Sequence, residues 1–223
     1  MYMGGLSFED ELGLECPGKI YTQVMDLKQL PSDKFKNSSH AAHCMIYALN
    51  NRPVLKAYMP KASILMQLRF DGHFGFPGGV VEKGETPEEA VAREMEEEMG
   101  ILRHNFRIFP EDHVVTHYSE DKDLLLHFFT KEVSLNRLLN IEATAVKGDY
   151  YGEEVMGIVR IPLYTMADGF RGFPAFLNHG FIGNSKEQLL HALIAKQLFT
   201  QEEIQTALAA KPKIITKINK INT

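Results

Sequence analysis

Residues 79–101 read GVVEKGETPEEAVAREMEEEMGI, and this stretch predicts a loop followed by a helix. The helix has clear start signals: Thr86 suits the N-cap, Pro87 suits the first helical position, and Glu89 completes a capping box with Thr86. Gly100 suits the left-handed residue that often ends a helix. We therefore predict a helix that begins after Thr86 and ends at Gly100.

Three glutamates of this helix face the same side. Glu94 and Glu98 are four residues apart and Glu97 is three after Glu94, so the helical repeat brings them together. Like charges at this spacing destabilise a helix by roughly a few tenths of a kcal/mol per pair, and Arg93 is the only cation of the run REMEEEM. A hard divalent cation would hold such oxygens together. For the helix taken alone, a solvated acidic face remains the simpler interpretation.

The preceding loop favours metal binding over a solvated acidic face. From Gly79 the pattern is Gly, five residues, Glu85, seven residues, Arg93-Glu94, an apolar residue, any residue, Glu97-Glu98, any residue, Gly and an apolar residue. This pattern resembles the complete box of the Nudix hydrolases, which cleave a nucleoside diphosphate linked to another group. The resemblance implies an α/β fold, an α/β/α sandwich around a mixed sheet. Along the chain, residues 106–108 and 155–164 are expected to form strands, residues 75–79 a turn, and residues 184–199 an amphipathic helix. This mixed order of strands and helices also favours such a sheet.

The resemblance also implies the metal ligands. Glu94, Glu97 and Glu98 would bind Mg²⁺ or Mn²⁺, with two or more ions in the site, and the backbone carbonyl of Gly78 would add a ligand. Such ions neutralise a diphosphate and lower the pKa of an attacking water.

Two further motif residues would position these ligands, and one would act on water. Arg93 would orient a glutamate through an ion pair, and Glu85 would fix the loop. We take Glu97 as the general base that accepts the proton of the water, although the family does not place that base uniformly.

Four flanking stretches narrow the resemblance to the small nucleolar RNA decapping branch, which is associated with methylguanosine cap removal and with hydrolysis of inosine-type diphosphates. The resemblance covers about residues 40–203. The stretches are HAAHCMIYAL at 40–49, ILMQLRFDGHFGFPGG at 64–79, VRIPLYTMADGF at 159–170 and PAFLNHGFIGNSKEQLLHAL at 174–193.

By matching position, this branch implies a pocket for the base. Phe76 would stack on a purine, Arg69 would pair with phosphate or a base edge, and Gln188 would hydrogen-bond a purine edge. His43 would stack on the base or hydrogen-bond to it. Judged singly, His43 also suits a buried core position, Phe76 a core or loop contact, and Gln188 a surface or capping position.

Two histidines are less certain. His117 falls where the branch places a histidine near metal or phosphate, although a core role suits it equally. At His191 some relatives have an acidic residue, so the metal set of this chain would differ if that position binds metal.

Composition bounds the remaining features. The chain has 223 residues and a net charge of −5, so an RNA partner needs a local basic patch. Two cysteines do not suggest a disulfide scaffold or a zinc site, and we expect a reducing compartment, the nucleus or nucleolus and also the cytoplasm. No signal peptide or membrane span is predicted.

We divide the chain into an N-terminal extension (1–37), a Nudix domain (38–205) and a lysine-containing tail (206–223), which is either a solvated end or an RNA contact.

Three functions fit the sequence. The first is removal of the methylguanosine cap from small nucleolar or other capped RNA, which gives methyl-GDP and RNA with a 5′-monophosphate. The second is hydrolysis of free purine nucleoside diphosphates such as inosine diphosphate. The third is RNA binding without catalysis. The branch is also compatible with a homodimer, for which the residues give no direct sign.

Overall fold

The computed structural model describes residues 21–24, 28, 30 and 32–212. In that part of the chain, eight strands form one sheet. The strands are β1 (Tyr21–Gln23), β2 (Ser39–Leu49), β3 (Ala62–Arg69), β4 (Phe74–Gly75), β5 (Gly78–Val80), β6 (His113–Ser119), β7 (Leu124–Glu132) and β8 (Val155–Arg160).

Five α-helices pack around this sheet in the described residues. They are α1 (Pro87–Met99), α2 (Leu135–Thr144), α3 (Phe173–Phe176), α4 (Ser185–Ala195) and α5 (Gln201–Ala209). None of these helices is long and apolar enough to cross a membrane. Helix α5 continues past residue 205, where the sequence analysis placed the end of the domain, and its Ala207 is buried.

The sheet is mixed, as predicted. Its order is β1-β6-β7-β2-β3-β4, with β5 paired to β2 and β8 paired to β3. Strands β2 and β7 run parallel, and the other pairs are antiparallel.

Apolar side chains of the strands form two separate cores, one on each face of the sheet, because successive side chains of a strand point to opposite faces. Met45 and Phe128 join the core under α3, α4 and α5, whereas Cys44 and Phe129 join the core under α1 and α2. Helices therefore cover both faces, which confirms the α/β/α sandwich.

Two local predictions were wrong. The strand expected at residues 106–108 is an irregular segment between two 3₁₀ turns, and its Phe106 and Ile108 are buried in the core without pairing to a strand. The glycine-rich stretch at residues 75–79 is not a turn throughout, because its ends belong to β4 and β5. Glycine allows β5 to pair with β2, because the backbone of β2 lies so close to Gly78 that a side chain at this position would collide with it.

Two predicted elements end earlier than expected. Strand β8 stops at Arg160 instead of Tyr164, because Pro162 has no N–H to donate to a neighbouring strand. Helix α4 stops at Ala195 instead of Phe199, and Gln197 then adopts a left-handed conformation with φ of 56°.

A chain of buried polar groups crosses β2, β6 and β7. His40 Nδ1 and His127 Nε2 share a hydrogen bond of 2.9 Å, His127 Nδ1 lies 2.9 Å from Thr116 Oγ1, and that hydroxyl lies 2.8 Å from His113 Nε2. His127 is only 4% exposed. Burial, and then the charges of His40 and His113, lower the pKa of His127 to about 3.

This burial predicts loss of stability in acid. A histidine in the unfolded chain titrates near 6.5, so between that pH and the folded pKa of about 3 the unfolded state binds a proton that folded His127 does not. Neutral His127 contributes fully to the free energy of unfolding above pH 6.5. As the pH falls below 6.5, this contribution is lost by about 1.4 kcal/mol per pH unit. His43 and His117 have pKa values lowered to about 4 and act in the same direction.

Urea denaturation at pH 7, 6, 5 and 4 measures this effect. In His127→Gln, the free energy of unfolding should fall less steeply below pH 6.5 than in the wild type. The matched control is His104→Gln, because His104 is exposed. Equal acid slopes for the wild type and His127→Gln would contradict the assignment.

Candidate active site

Helix α1 presents the glutamates as the sequence predicted. Thr86 Oγ1 accepts the Glu89 N–H at 3.2 Å, Glu89 Oε2 accepts the Thr86 N–H at 2.8 Å, and Gly100 is left-handed with φ of 63°. The neighbouring stripe of the helix, which includes Val91 and Met95, is completely buried against the sheet. This packing fixes which face of α1 carries the carboxylates.

Glu98 is the most buried carboxylate of this face, with 3% of its surface exposed. Its Oε2 accepts the Gly78 N–H at 3.0 Å and the Gln67 side-chain amide at 3.1 Å. Burial, and then the charge of Glu94, raise the pKa of Glu98 to about 8. In the absence of a cation, Glu98 is therefore mostly protonated at neutral pH.

Arg93 ties the loop to the carboxylates. Its Nε donates to Glu85 at 3.1 Å, and its Nη1 donates to Glu94 at 2.8 Å and to Glu97 at 3.0 Å. Its Nη2 donates to the carbonyl oxygen of Val80 at 2.8 Å. These contacts match the positioning roles that the sequence implied for Arg93 and Glu85.

The carboxylates face a cavity of about 540 Å³. His43, Arg69 and Gly78 line it together with Arg93, Glu94 and Glu98, so six of the predicted site residues meet there. Another cavity, of about 510 Å³, lies beside α5 and contains none of the predicted site residues.

His43 and Arg69 give the cavity its polar contacts away from the glutamates. Burial, and then the charge of Arg69, lower the pKa of His43 to about 4, so this imidazole is neutral at pH 7. Its Nδ1 has no hydrogen-bond partner among the described residues. Arg69 Nε donates to Asp71 Oδ2 at 3.2 Å, which holds the guanidinium in place.

Four predicted residues do not line this cavity. Phe76 is 3% exposed and packs against Phe128 in the core, with 4.9 Å between ring centroids, so its purine-stacking role has no support in this conformation. Glu97 is held by Arg93 and lies 3.6 Å from Arg103 Nη2. The other two are Gln188 and His117.

Gln188 on α4 and His117 on β6 are buried where this helix packs against the sheet. They are 1% and 3% exposed, and neither Gln188 Nε2 nor His117 Nδ1 has a partner among the described residues. The ring of His117 lies 5.3 Å from that of His191, whose charge adds to burial in lowering the pKa of His117 to about 4. Buried polar groups are normally paired, so these atoms mark a place for a water or a ligand group.

Two residues of the site were missed by the sequence analysis. Gln67 contacts Glu98, and it could have been noticed as the one amide within the apolar run ILMQL, since a buried amide requires a partner. Glu154 lines the cavity, and its charge helps to raise the pKa of both Glu94 and Glu98. No signal in the sequence distinguishes Glu154 from Glu153.

The chemistry of this donor set fits a hard divalent cation. Glu94, Glu98 and Glu154 bring carboxylate oxygens to one cavity, and their mutual repulsion raises the pKa of Glu98 in addition to burial. A bound cation would relieve that repulsion. Among the described residues no group of three His, Cys, Asp or Glu side chains is already arranged to hold an ion, and Arg93 engages Glu94 and Glu97.

Comparison with known proteins identifies the family of this chain. The family model described as Nudt16-like, U8 snoRNA-decapping enzyme-like, matches residues 40–199. A U8 snoRNA-decapping enzyme of Homalodisca vitripennis is 50% identical over 174 residues, which cover 78% of this chain and 92% of that protein. The enzyme of the same name from Xenopus laevis is 38% identical over 177 residues, covering 78% and 84%.

A relative with another name matches as well. The Tudor-interacting repair regulator protein of Homo sapiens is 36% identical over 174 residues, which cover 77% of this chain and 81% of that protein. The family match spans most of the chain and includes the whole loop and helix of the carboxylate motif. The chain therefore belongs to the Nudt16-like, U8 snoRNA-decapping enzyme-like family of Nudix hydrolases, a group that generally depends on divalent metal.

Proposed function

We propose that this protein is a metal-dependent pyrophosphatase that removes the methylguanosine cap from small nucleolar or other capped RNA. The products are methyl-GDP and RNA with a 5′-monophosphate. One observation carries the proposal: Glu94, Glu98 and Glu154 share a single cavity with His43 and Arg69. A phosphate-cleaving centre and groups that recognise a nucleotide are therefore adjacent.

The reaction is a hydrolysis of the phosphoanhydride bond between the GDP part of the cap and the 5′-phosphate of the RNA. The oxygen of water bonds to phosphorus, the bridging P–O bond breaks, and a proton of the water passes to a base. A bound divalent cation, for which we propose Mg²⁺ or Mn²⁺ with two or more ions, would neutralise the diphosphate and acidify the water. Its proposed ligands are the carbonyl of Gly78 with Glu94 and Glu98.

The position of the base follows from the lining of the cavity. Glu154 lines the cavity and Glu97 does not, which favours Glu154 as the acceptor of the proton over our initial choice of Glu97. Glu97 would then act through Arg93, to which it is bound at 3.0 Å. Arg93 in turn holds Glu94, so Glu97 would position a ligand without itself lining the cavity.

Substrate recognition uses the uncharged His43 and the cationic Arg69. A neutral imidazole stacks on a methylated, positively charged guanine without electrostatic repulsion, and the pKa of His43, lowered to about 4, keeps it neutral. Arg69 would pair with cap phosphate. Gln188 and His117 have buried nitrogens without a partner among the described residues, and they remain candidates for contacts with the base and with metal or phosphate, respectively.

The same cavity would also accept a free purine nucleoside diphosphate, because nothing in its lining requires the RNA strand. A third function is RNA binding without catalysis, and the human relative is named for an interaction and not for a reaction. The presence of Glu94 and Glu98 in the cavity favours an enzyme, because a binding protein has no need to bury repelling carboxylates. We place the capped-RNA activity in the nucleus or nucleolus, and we leave a homodimer as compatible with it.

A direct assay tests the proposal. Capped RNA and inosine diphosphate are incubated with the protein side by side in Mg²⁺ and in Mn²⁺, and the products are identified by mass. We expect methyl-GDP and 5′-monophosphate RNA at lower enzyme concentration than inosine diphosphate requires. Capped RNA that stays intact under saturating Mn²⁺, while inosine monophosphate forms, would identify the protein as a nucleotide diphosphatase instead.

A further inference from the structure

One amide lies among the apolar side chains that strand β3 directs toward helix α1. Leu65 is part of the core under α1 and α2, and Gln67 lies two residues further along the strand, on the same face. The strand is paired on both sides at this position, with Gly75 of β4 and Ile158 of β8 opposite Gln67. The backbone of Gln67 is therefore held inside the sheet, and only 2% of the residue is exposed.

The amide nitrogen of Gln67 donates to two acceptors on α1. Gln67 Nε2 lies 3.1 Å from Glu98 Oε2 and 3.5 Å from Met99 Sδ. These acceptors are adjacent residues at the end of the helix, so they select the orientation in which the NH2 group of the amide faces Glu98. Burial of an amide costs free energy unless it is hydrogen-bonded. What Gln67 provides, and an apolar residue would not, is its hydrogen bond to this carboxylate.

The hydrogen bonds to Glu98 give its two oxygens different roles. Oε2 accepts from Gln67 and also from the Gly78 N–H at 3.0 Å, so both of its lone pairs are engaged. Oε1 accepts no hydrogen bond from the described residues, and Glu98 lines the cavity. A cation in this cavity would therefore bind Glu98 through Oε1 alone.

Glu94 shows the same division between its oxygens. Its Oε1 accepts from Arg93 Nη1 at 2.8 Å, and a Cβ added at Gly79 would lie 2.3 Å from that oxygen. Its Oε2 accepts no hydrogen bond from the described residues. Each of the two proposed carboxylate ligands thus has one oxygen held by the protein and one oxygen left for the cation.

We propose that Gln67 is a positioning residue of the metal site, which holds Oε2 of Glu98 and thereby presents Oε1 to the cation as a single-oxygen ligand. This rests on the proposed function, from which it takes the cation and its ligands. Groups that hydrogen-bond to ligating carboxylates contribute about ten-fold to a hundred-fold to metal affinity. The other donor to Oε2 is the backbone N–H of Gly78, so a substitution of Gln67 removes one donor and leaves the second in place.

The test is Mn²⁺ binding to Gln67→Met, measured directly by electron paramagnetic resonance without RNA. Met has nearly the length of Gln and suits a core position, but it cannot donate a hydrogen bond. The Kd for Mn²⁺ should rise by about ten-fold, whereas the KM for capped RNA at saturating Mn²⁺ should not change. Ser63→Ala is the matched control, because it removes a buried hydrogen bond of the same strand, from Asn50 at 2.9 Å, and should keep the wild-type Kd.

A double-mutant cycle separates positioning of the ligand from a general effect on the core. In the Glu98→Gln background the ligand carboxylate is absent, so Gln67→Met should change the remaining Mn²⁺ affinity by less than about two-fold. Loosening of the core would instead weaken binding by the same factor in both backgrounds. Gln67→Asn is the second variant, should Gln67→Met fail to fold. Its amide is one methylene shorter and falls short of Oε2, so the same rise in Kd is expected.

The outcomes distinguish this proposal from the proposed function. A wild-type Kd in the folded Gln67 variants, or an equal loss in both backgrounds, would overturn the role of Gln67. A wild type that binds Mn²⁺ but leaves capped RNA intact would overturn the proposed function, and the Kd values would still decide the role of Gln67 because they are measured without substrate. A wild type that binds no Mn²⁺ would overturn both.

Discussion

Replacing Glu98 with Gln is expected to lower the rate of capped-RNA hydrolysis by about a thousand-fold, the equivalent of about 4 kcal/mol of transition-state stabilisation. Glu98 is buried beside Glu94, and its pKa of about 8 means that the metal-free protein holds it protonated at neutral pH. A cation can displace that proton from a carboxyl group, whereas an amide offers no charge to the cation. The measurement is single-turnover hydrolysis at saturating Mg²⁺ and Mn²⁺.

The fold should survive this change. The side-chain oxygen of Gln can still accept from the Gly78 N–H and from Gln67, which bond to Glu98 at 3.0 and 3.1 Å. The melting temperature at pH 7 without metal should therefore stay near that of the wild type. Glu96→Gln is the matched control, because Glu96 is on the same helix but pairs with Arg103, and it should keep its activity. Full activity in Glu98→Gln would remove Glu98 from the proposed metal site.

Replacing Gly78 with Ala is expected to lower the free energy of unfolding by about 3 kcal/mol or more. Gly78 has φ of 138°, and an added Cβ would lie 2.2 Å from the carbonyl oxygen of Ala42 and 2.6 Å from Cα of His43. Both are backbone atoms, so relief requires β2 and β5 to separate. That movement would also displace the N–H that donates to Glu98. Urea denaturation measures the effect.

Gly157→Ala provides the comparison for this variant. Gly157 is on β8, and nothing lies within 4 Å of a Cβ added there, so its stability should stay within about 0.5 kcal/mol of the wild type. A Gly78→Ala protein as stable as Gly157→Ala would show that the close approach of β5 to β2 is not required.

Local signals were enough to predict the centre of the site. The bounds of α1 follow from Thr86, Pro87, Glu89 and Gly100, whose hydrogen bonds or dihedral preferences operate within one turn of the helix. The helical repeat then places Glu94 and Glu98 on one face whatever the rest of the chain does. The mixed order of strands and helices likewise predicted a mixed sheet with helices packed around it.

Contacts between segments distant in sequence could not be predicted in the same way. The sequence allowed two positions for Phe76, and only packing against Phe128 decides for the core. Glu154 reaches the cavity because β8 pairs with β3 and the carbonyl of Glu154 accepts the Phe70 N–H at 2.9 Å. Strand pairing of this kind depends on partners far along the chain, which a local pattern does not specify.

The sequence by itself determined the carboxylate helix, the loop before it and the class of fold, because each rests on bonds between near neighbours or on the period of one element. Only the tertiary structure decided which carboxylates share the cavity and that Gln67 supports Glu98. The physical reason is that these arrangements are set by the order and register of strands β2, β3, β5, β7 and β8. That order depends on which apolar faces of all the strands are buried together, and a local pattern does not specify this.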